Sequence, residues 1–420
     1  MRSPIPDYLT EVLDTCGGDA GGELAAYIPE LAQADPDRFA LALATVDGAV
    51  YGVGDDAVEF SIQSISKPFA YALALARHGI DGVLEKVGVE PSGDAFNELS
   101  LEVGTGRPLN PMINAGALTV HALIDDETVR RGFSAFAGRD LEVDEQVFAS
   151  ELETADRNRA IAFMLRSHGI VEQDAQQVVE GYTRQCSLLV TVRDLAVMAA
   201  TLANGGVQPI TGERVVPHDV TRQVMAVMAT CGMYDAAGDW FTSVGIPAKS
   251  GVAGGLIGAL PGQVGMATFS PRLDRHGNSV RGVQVFERLS HDMGMHLMEV
   301  PPPARSLVRG RTELPGDRSG HGWAYELQGS VNFVGMERVL RYLADEPPTE
   351  SAVVLDLTRV HEVRDVGRRM LVEAVRRLVL DGHEVTLVDP EDMLEALPDD
   401  RSEGDLEAGD GVRVRVLRSR

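Results

Sequence analysis

The sequence predicts an α+β chain in two parts. A larger first domain has an antiparallel sheet assembled from both of its ends around a helical insertion, and a small α/β domain follows it. Three observations carry this. The 420 residues exceed what one hydrophobic core usually organises. Strand-like runs gather at residues 39–63 and 243–286, with helix and loop patterns between them. Composition then breaks at PPPARSLVRGRTELPGDRSGHG, residues 301–322, where a run of prolines followed by Gly and Arg reads as an exposed linker. The expected boundaries are therefore 1–300, a linker at 301–322, and 323–420.

Residues 7–14 and 22–32 read as short helices. FALALATVDGAVYGVGD, from Phe39 to Asp55, reads as two strands around Asp47-Gly48, a pair that tolerates the positive φ of a tight hairpin. AVEFSIQ is a third apolar run and leads into SISKPFAYALALARHG, which has helical spacing and ends at Gly79. From Pro91 to Val190 the pattern is mostly helix and loop. TVRDLAVMAATLANGG is a helix with a Thr191/Asp194 capping box and a Gly205-Gly206 stop. A helix over 217–231 follows, then strand-like runs near 243–250, 263–269 and 280–286, and a closing helix through MHLME. Beyond the linker, AYELQG, SAVVLDL, HEVTLVD and VRVRVL read as strands. NFVGMERVLRYL, VGRRMLVEAVRRLVLDG and PEDMLEALP read as helices, giving βαβα alternation.

Charge narrows the function classes. The formal net charge is −25, from 63 acidic and 38 basic residues. Such a surface repels phosphate backbones and anionic lipid headgroups, which argues against nucleic acid and membranes as partners. No run approaches the roughly 18 uncharged apolar residues of a membrane span. MRSPIPDYLTEVLD turns acidic without an apolar core, so it does not read as a signal peptide. Cys16, Cys186 and Cys231 are odd in number and lack ligand spacing, which suits buried free thiols in a reducing cytoplasm. His121 and His168 have no ligand-spaced partner, so neither a metal nor any other cofactor is expected.

The sharpest local feature is Ser64-Ile65-Ser66-Lys67 at a strand-to-helix transition. Residues three apart on a helix share a face, which brings the Ser64 hydroxyl and the Lys67 amine together. A serine needs a base to become a nucleophile, and a lysine becomes one when burial lowers its pKa. Phe60, Ile62, Ile65, Pro68 and Phe69 supply that apolar setting. Backbone N–H groups at a helix start also favour an oxyanion. Pro68 lacks the N–H that would bond the Ser64 carbonyl, so the turn at Ser64 is expected to depart from ideal helix. A second element, Lys249-Ser250-Gly251, matches the K-[ST]-G strand that partners S-x-x-K in penicillin-recognising serine enzymes.

At these residues the chain resembles the serine-dependent glutaminases of the β-lactamase/transpeptidase-like fold. The likeness runs in order over residues 5–300 through FSIQSISKPF, RPLNPMINAGA, ELETADRNRAIAFML, GYTRQCSLLVTVRDLA, CGMYDAAGDW and IPAKSGVAGG. The resemblance implies Ser64 as nucleophile and Lys67 as its base or base partner. It implies a glutamine-binding set of Ser64, Asn114, Glu151, Asn158, Tyr182, Tyr234 and Val252, supported by Gln63, Lys249, Ser250 and Gly251. The chemistry suits these roles. A carboxylate such as Glu151 fits the α-ammonium of L-glutamine, and amide and hydroxyl groups such as Asn114, Asn158 and Tyr234 fit its α-carboxylate. The N–H groups of Ser64 and Val252 suit an oxyanion hole. Tyr182 is the expected shuttle to departing ammonia, its pKa lowered by Lys67, and the choice between Lys67 and Tyr182 as primary base stays open.

Residues 323–420 resemble a STAS domain, through AYELQGSVNF, VVLDLTRVHEVRDVG and the helix after it. Where regulatory members carry a phosphorylatable hydroxyl, this chain reads Arg364-Asp365-Val366-Gly367. The resemblances imply a homodimer or homotetramer and a protein partner for the small domain. Two other readings compete: a penicillin-binding or β-lactamase-type acyl hydrolase, and a regulatory binding protein acting through the STAS-like part.

Overall fold

The computed structural model describes residues 3–26, 28–93, 100–299, 307–317, 320–391, 393–394, 403–407 and 413–417. The chain divides into two compact units, Met1–Glu299 and Val300–Arg420.

The first unit opens with α1 (Ile5–Cys16) and a single turn, α2 (Pro29–Ala32), so most of 22–32 is not the helix expected there. The expected hairpin forms from β1 (Ala40–Thr45) and β2 (Val50–Gly54), with Gly48 at φ 95° in its turn. β3 (Phe60–Ser61) leads through a 3-10 turn at Gln63–Ile65 into α3 (Ser66–Leu84), which kinks at Gly79. The insertion comprises α4 (Asn114–Ala122), α5 (Asp126–Ala137), α6 (Glu145–Glu153), α7 (Asp156–Ser167) and α8 (Ala175–Cys186). β4 (Leu189–Val190) then pairs with β3, and α9 (Val192–Ala203) starts at the expected Thr191/Asp194 capping box. α10 (His218–Cys231) and α11 (Ala237–Ser243) precede β5 (Ala248–Ser250), β6 (Gly255–Leu260), β7 (Val264–Phe269) and α12 (Val280–Met293).

The sheet runs β2-β1-β7-β6-β5, every pair antiparallel, so strands from both ends of the unit meet in its middle. Period two sorts its faces. Leu41 and Leu43 pack with Leu9, Val12, Phe286 and Leu289 from α1 and α12. Ala40, Ala42 and Ala44 point to the opposite face, against Ala196, Ala199 and Ala200 of α9. Contact there is close enough that a Cβ on Gly265 would lie 2.1 Å from the Ala200 nitrogen.

Two further expectations in this unit need correction. Residues 280–286 form the start of α12 rather than a strand. Valines at 280, 283 and 285 imitate a strand, but Arg281, Val285 and Leu289 are buried at helical spacing and Ser279 caps the helix. The helix then ends at Gly294, in left-handed conformation, so MHLME is not helical. β6 forms from a glycine-rich run that carries no strand signal in the sequence.

The second unit contains β8 (Val308–Asp317), β9 (Gly320–Val331), α13 (Phe333–Asp345), β10 (Ala352–Val363), α14 (Asp365–Leu380), β11 (Glu384–Val388), β12 (Glu403–Glu407) and β13 (Arg413–Leu417). Its sheet order is β12-β13-β11-β10-β9-β8, with β9, β10, β11 and β13 parallel and both edge strands antiparallel to their neighbours. The linker reading of 301–322 is corrected here. β8 lies inside that stretch and pairs with β9, with one register break between Val308 and Gly310 and a second between Leu314 and Asp317, at Pro315-Gly316. The described part of PEDMLEALP is a turn in which Asp389 accepts from the Met393 and Leu394 nitrogens. The rest of that segment lies outside the described residues.

Candidate active site

β3 and the 3-10 turn deliver Ser64 to the boundary between sheet and insertion. Gln63 has φ 50° and Tyr234 has φ 59°, the two non-glycine residues with positive φ among those described. Such backbone costs of order 1–3 kcal/mol and persists where the surroundings impose it. Both residues adjoin Ser64. Gln63 is fixed by donating to Glu151 Oε2 at 2.9 Å and to Ser61 Oγ at 3.3 Å. The departure from ideal helix expected from Pro68 is therefore present, as a 3-10 turn.

Lys67 lies on the first turn of α3, 1% exposed, and its Nζ donates to Asn114 Oδ1 at 2.7 Å. Asn114, at the start of α4, passes the chain on by donating from Nδ2 to Asn158 Oδ1 of α7 at 3.0 Å. α6 supplies Glu151 and α8 supplies Tyr182. From the sheet side, β5 ends in Lys249-Ser250, and the turn after it carries Val252. Gly251 lets this strand end rest on the nucleophile turn, since a Cβ there would stand 3.0 Å from Ile65 Cγ1.

Between these elements lies a cavity of about 160 Å³. Ser64, Asn114, Glu151, Asn158, Tyr182 and Val252 line it together with Gln63. Lys67 stands behind Asn114. Tyr234 reaches the site through Ser64, which hydrogen-bonds its hydroxyl, while the Tyr234 hydroxyl donates to the Ser250 carbonyl at 3.1 Å. Lys249 is fully buried, donates to the same carbonyl at 2.5 Å, and sits 4.0 Å from the Tyr234 ring centre. The Ser250 side chain turns away to the Gly277 carbonyl, so Ser250 serves through its backbone.

Burial sets the electrostatics. It brings Lys67 down to about 8, against the opposing pull of Cys186 and Glu151. It takes Lys249 well below the usual lysine range, and Lys67 adds to that effect. Glu151 is pushed up to about 7 by burial, which the Gln63 hydrogen bond and Lys67 partly offset. Tyr182 is also raised by burial, and next by Cys186. The expectation that Lys67 lowers the Tyr182 pKa is thus corrected: Tyr182 faces Cys186 and Glu151, and Tyr234 is the tyrosine bonded to Ser64.

Cys186 and Arg157 also line the cavity. The sequence reads Cys186 as a buried free thiol and gives Arg157 no role. Their position beside Tyr182 and Asn158 in the shared blocks was the available signal.

A family model described as Glutaminase matches residues 22–298. A glutaminase of Corynebacterium efficiens is 52% identical over 403 residues, covering 94% of each chain. The crystal structure "Crystal Structure Analysis of Mglu" matches with TM-score 0.85 and 51% identity, over 93% of this chain and 99% of that one. A probable glutaminase from Bacillus subtilis, complexed with 6-diazo-5-oxo-L-norleucine, matches with TM-score 0.65 and 32% identity, over 71% of this chain and 98% of the other. With one family model spanning most of the first unit and relatives alike over nearly the whole length, the chain belongs to the glutaminase family.

Proposed function

We propose that the protein hydrolyses L-glutamine to L-glutamate and ammonia through a γ-glutamyl ester on Ser64. The observation that carries this is the pairing of a cavity-lining Ser64 with a deeply buried lysine whose pKa is brought down to about 8. Neutral Lys67 takes the Ser64 proton as Oγ attacks the side-chain amide carbon. The oxyanion forms against the backbone N–H groups of Ser64 and Val252, a donation worth about 3–4 kcal/mol per group. As the tetrahedral intermediate collapses, the C–N bond breaks and the nitrogen takes a proton relayed from Lys67 through Tyr234, leaving as ammonia. Water then attacks the ester, its proton returns to Ser64, and glutamate is released.

Glu151 holds the α-ammonium, while Asn114, Asn158 and Arg157 face the α-carboxylate, and Tyr182 packs along the substrate. Ammonia release by Ser64→Ala tests the reading. A loss of about 10³-fold or more with intact folding is expected. Retained release would refute the nucleophile. Absent release from the intact protein, with covalent labelling by penicillin, would favour the β-lactamase-type alternative.

The fold of the first unit is read as β-lactamase-like, and the second unit as STAS-like. The latter reading is supported by its parallel strands alternating with α13 and α14. On that reading Asp365, which opens α14 and pairs with Arg368 at 3.0 Å, imitates part of the charge of a phosphorylated hydroxyl. A role in binding a protein partner, a homodimeric or homotetrameric assembly, and a cytoplasmic location complete the proposal. Sedimentation of the full chain tests the assembly, with a monomer at micromolar concentration as the contrary result.

A further inference from the structure

Beside the nucleophile turn runs a polar chain that the reaction above does not use, buried in all but its outermost member. It starts at Asp126 on the first turn of α5, whose Oδ1 lies 3.5 Å from His121 Nε2. The hydrogen bond from His121 holds the Asp126 carboxyl below its usual range. His121 Nδ1 faces Gln185 Oε1 at 3.0 Å, and Gln185 Nε2 donates to Ser66 Oγ at 2.9 Å. His121 is 5% exposed, Gln185 2% and Ser66 0%.

The direction of these bonds is constrained. Gln185 Oε1 only accepts, so His121 Nδ1 is the donor in that bond, and the Gln185 amide then donates from Nε2 to Ser66. A connected chain of this kind fixes its members more firmly than isolated bonds. Space is reserved for it: a Cβ on Gly181 would fall 2.2 Å from His121 Nε2 and 2.8 Å from Asp126 Oδ1. The glycine lets α8 approach α4 closely enough for Gln185 to reach Ser66.

Ser66 stands between Ser64 and Lys67 and is the first residue of α3. Gln185 stands beside Cys186 on α8, the helix that carries Tyr182 to the cavity. The chain therefore ties the turn bearing the nucleophile and base to the helices of the insertion. A misplacement of about 1 Å in such a turn costs on the order of 10²-fold in rate.

We infer that His121 and Gln185 are positioning residues for the Ser64 chemistry, acting through the Ser66 hydroxyl to hold Ser64 and Lys67 in register with the cavity. The inference rests on the reading of Ser64 as nucleophile.

The test compares Gln185→Met, Ser66→Ala, their double variant and Gln185→Glu in the full chain, with Ser64→Ala alongside. It measures kcat and KM for L-glutamine and the Kd of L-glutamate by calorimetry. Gln185→Met keeps the side-chain volume but removes both bonds. Its kcat should fall about 10- to 100-fold, with the glutamate Kd within about threefold of the parent. The double variant should be no slower than the slower single, because both lose one shared bond. Gln185→Glu should recover most of kcat, since its second oxygen can accept from the Ser66 hydroxyl. Should Gln185→Met fail to fold, the same kcat-only loss in Ser66→Ala decides. A kcat within threefold of the parent in Ser66→Ala overturns the inference. So do multiplying losses in the double variant, or a glutamate Kd that weakens as much as kcat falls. Ammonia release surviving in Ser64→Ala would instead bring down the reading of the reaction, which keeps the two failures distinct.

Discussion

The two walls of the cavity are built differently. On the sheet side Ser64 lines the cavity, with Lys67, Lys249 and Tyr234 behind the lining; this side is almost fully buried, carries both positive-φ side-chain residues, and holds two lysines below their usual range. The insertion wall, with Asn114, Glu151 and Asn158, is a set of amide and carboxylate groups on three helix starts and ends, already hydrogen-bonded across the cavity. In the proposed reaction the strained backbone and buried lysines of the first wall serve the chemistry. In the same proposal the hydrogen-bonded polar groups of the other recognise the substrate. The expected division is kcat for the first wall and KM for the second.

The largest effect should come from Lys67→Met, which removes the base without removing volume. A fall of about 10²- to 10⁴-fold in kcat/KM is expected from steady-state ammonia assays. A loss confined to KM would break the division. Next is Tyr234→Phe. It removes the hydroxyl between Ser64 and the Ser250 carbonyl, and should lower kcat about 10- to 100-fold with little change in KM. Tyr182→Phe should cost distinctly less, because its hydroxyl faces Cys186.

On the recognition wall, Glu151→Gln should raise KM about 10- to 100-fold, the worth of roughly 1.5–3 kcal/mol for a hydrogen bond to a charged group. A parallel collapse of kcat would show that Glu151 serves the reaction as well.

The smallest effect is the pH profile. Lys67 is lowered to about 8, so its neutral, basic form grows as pH rises through that value. Glu151 is raised to about 7, so its carboxylate also grows with rising pH. Both signs agree: kcat/KM should climb from pH 6 and flatten above about 8. In Glu151→Gln the lower limb should vanish while the upper one stays. A profile falling between pH 7 and 8.5 would contradict both assignments.

Much of this was legible in the sequence, for definable reasons. S-x-x-K, the capping box at Thr191 and the Asp47-Gly48 hairpin are local devices, and a local device is written in neighbouring residues. β6 was missed because GGLIGAL is buried on both faces and shows no alternation. α12 was misread because β-branched valines mask its helical period. β8 was hidden by the proline and glycine around it. The partner of each tyrosine was not legible at all. Tyr182 and Tyr234 look alike in sequence, and only the approach of β5 to the nucleophile turn places one of them on Ser64. The chain from Asp126 to Ser66 spans four helices and has no local signature either.

The most direct test of the central claim is mass spectrometry of the protein quenched in acid during steady-state turnover of L-glutamine. The account predicts a γ-glutamyl adduct on the peptide containing Ser64, increased in Tyr234→Phe if deacylation slows more than acylation, and absent from Ser64→Ala. An adduct on any other residue, or undiminished turnover in Ser64→Ala, would contradict it.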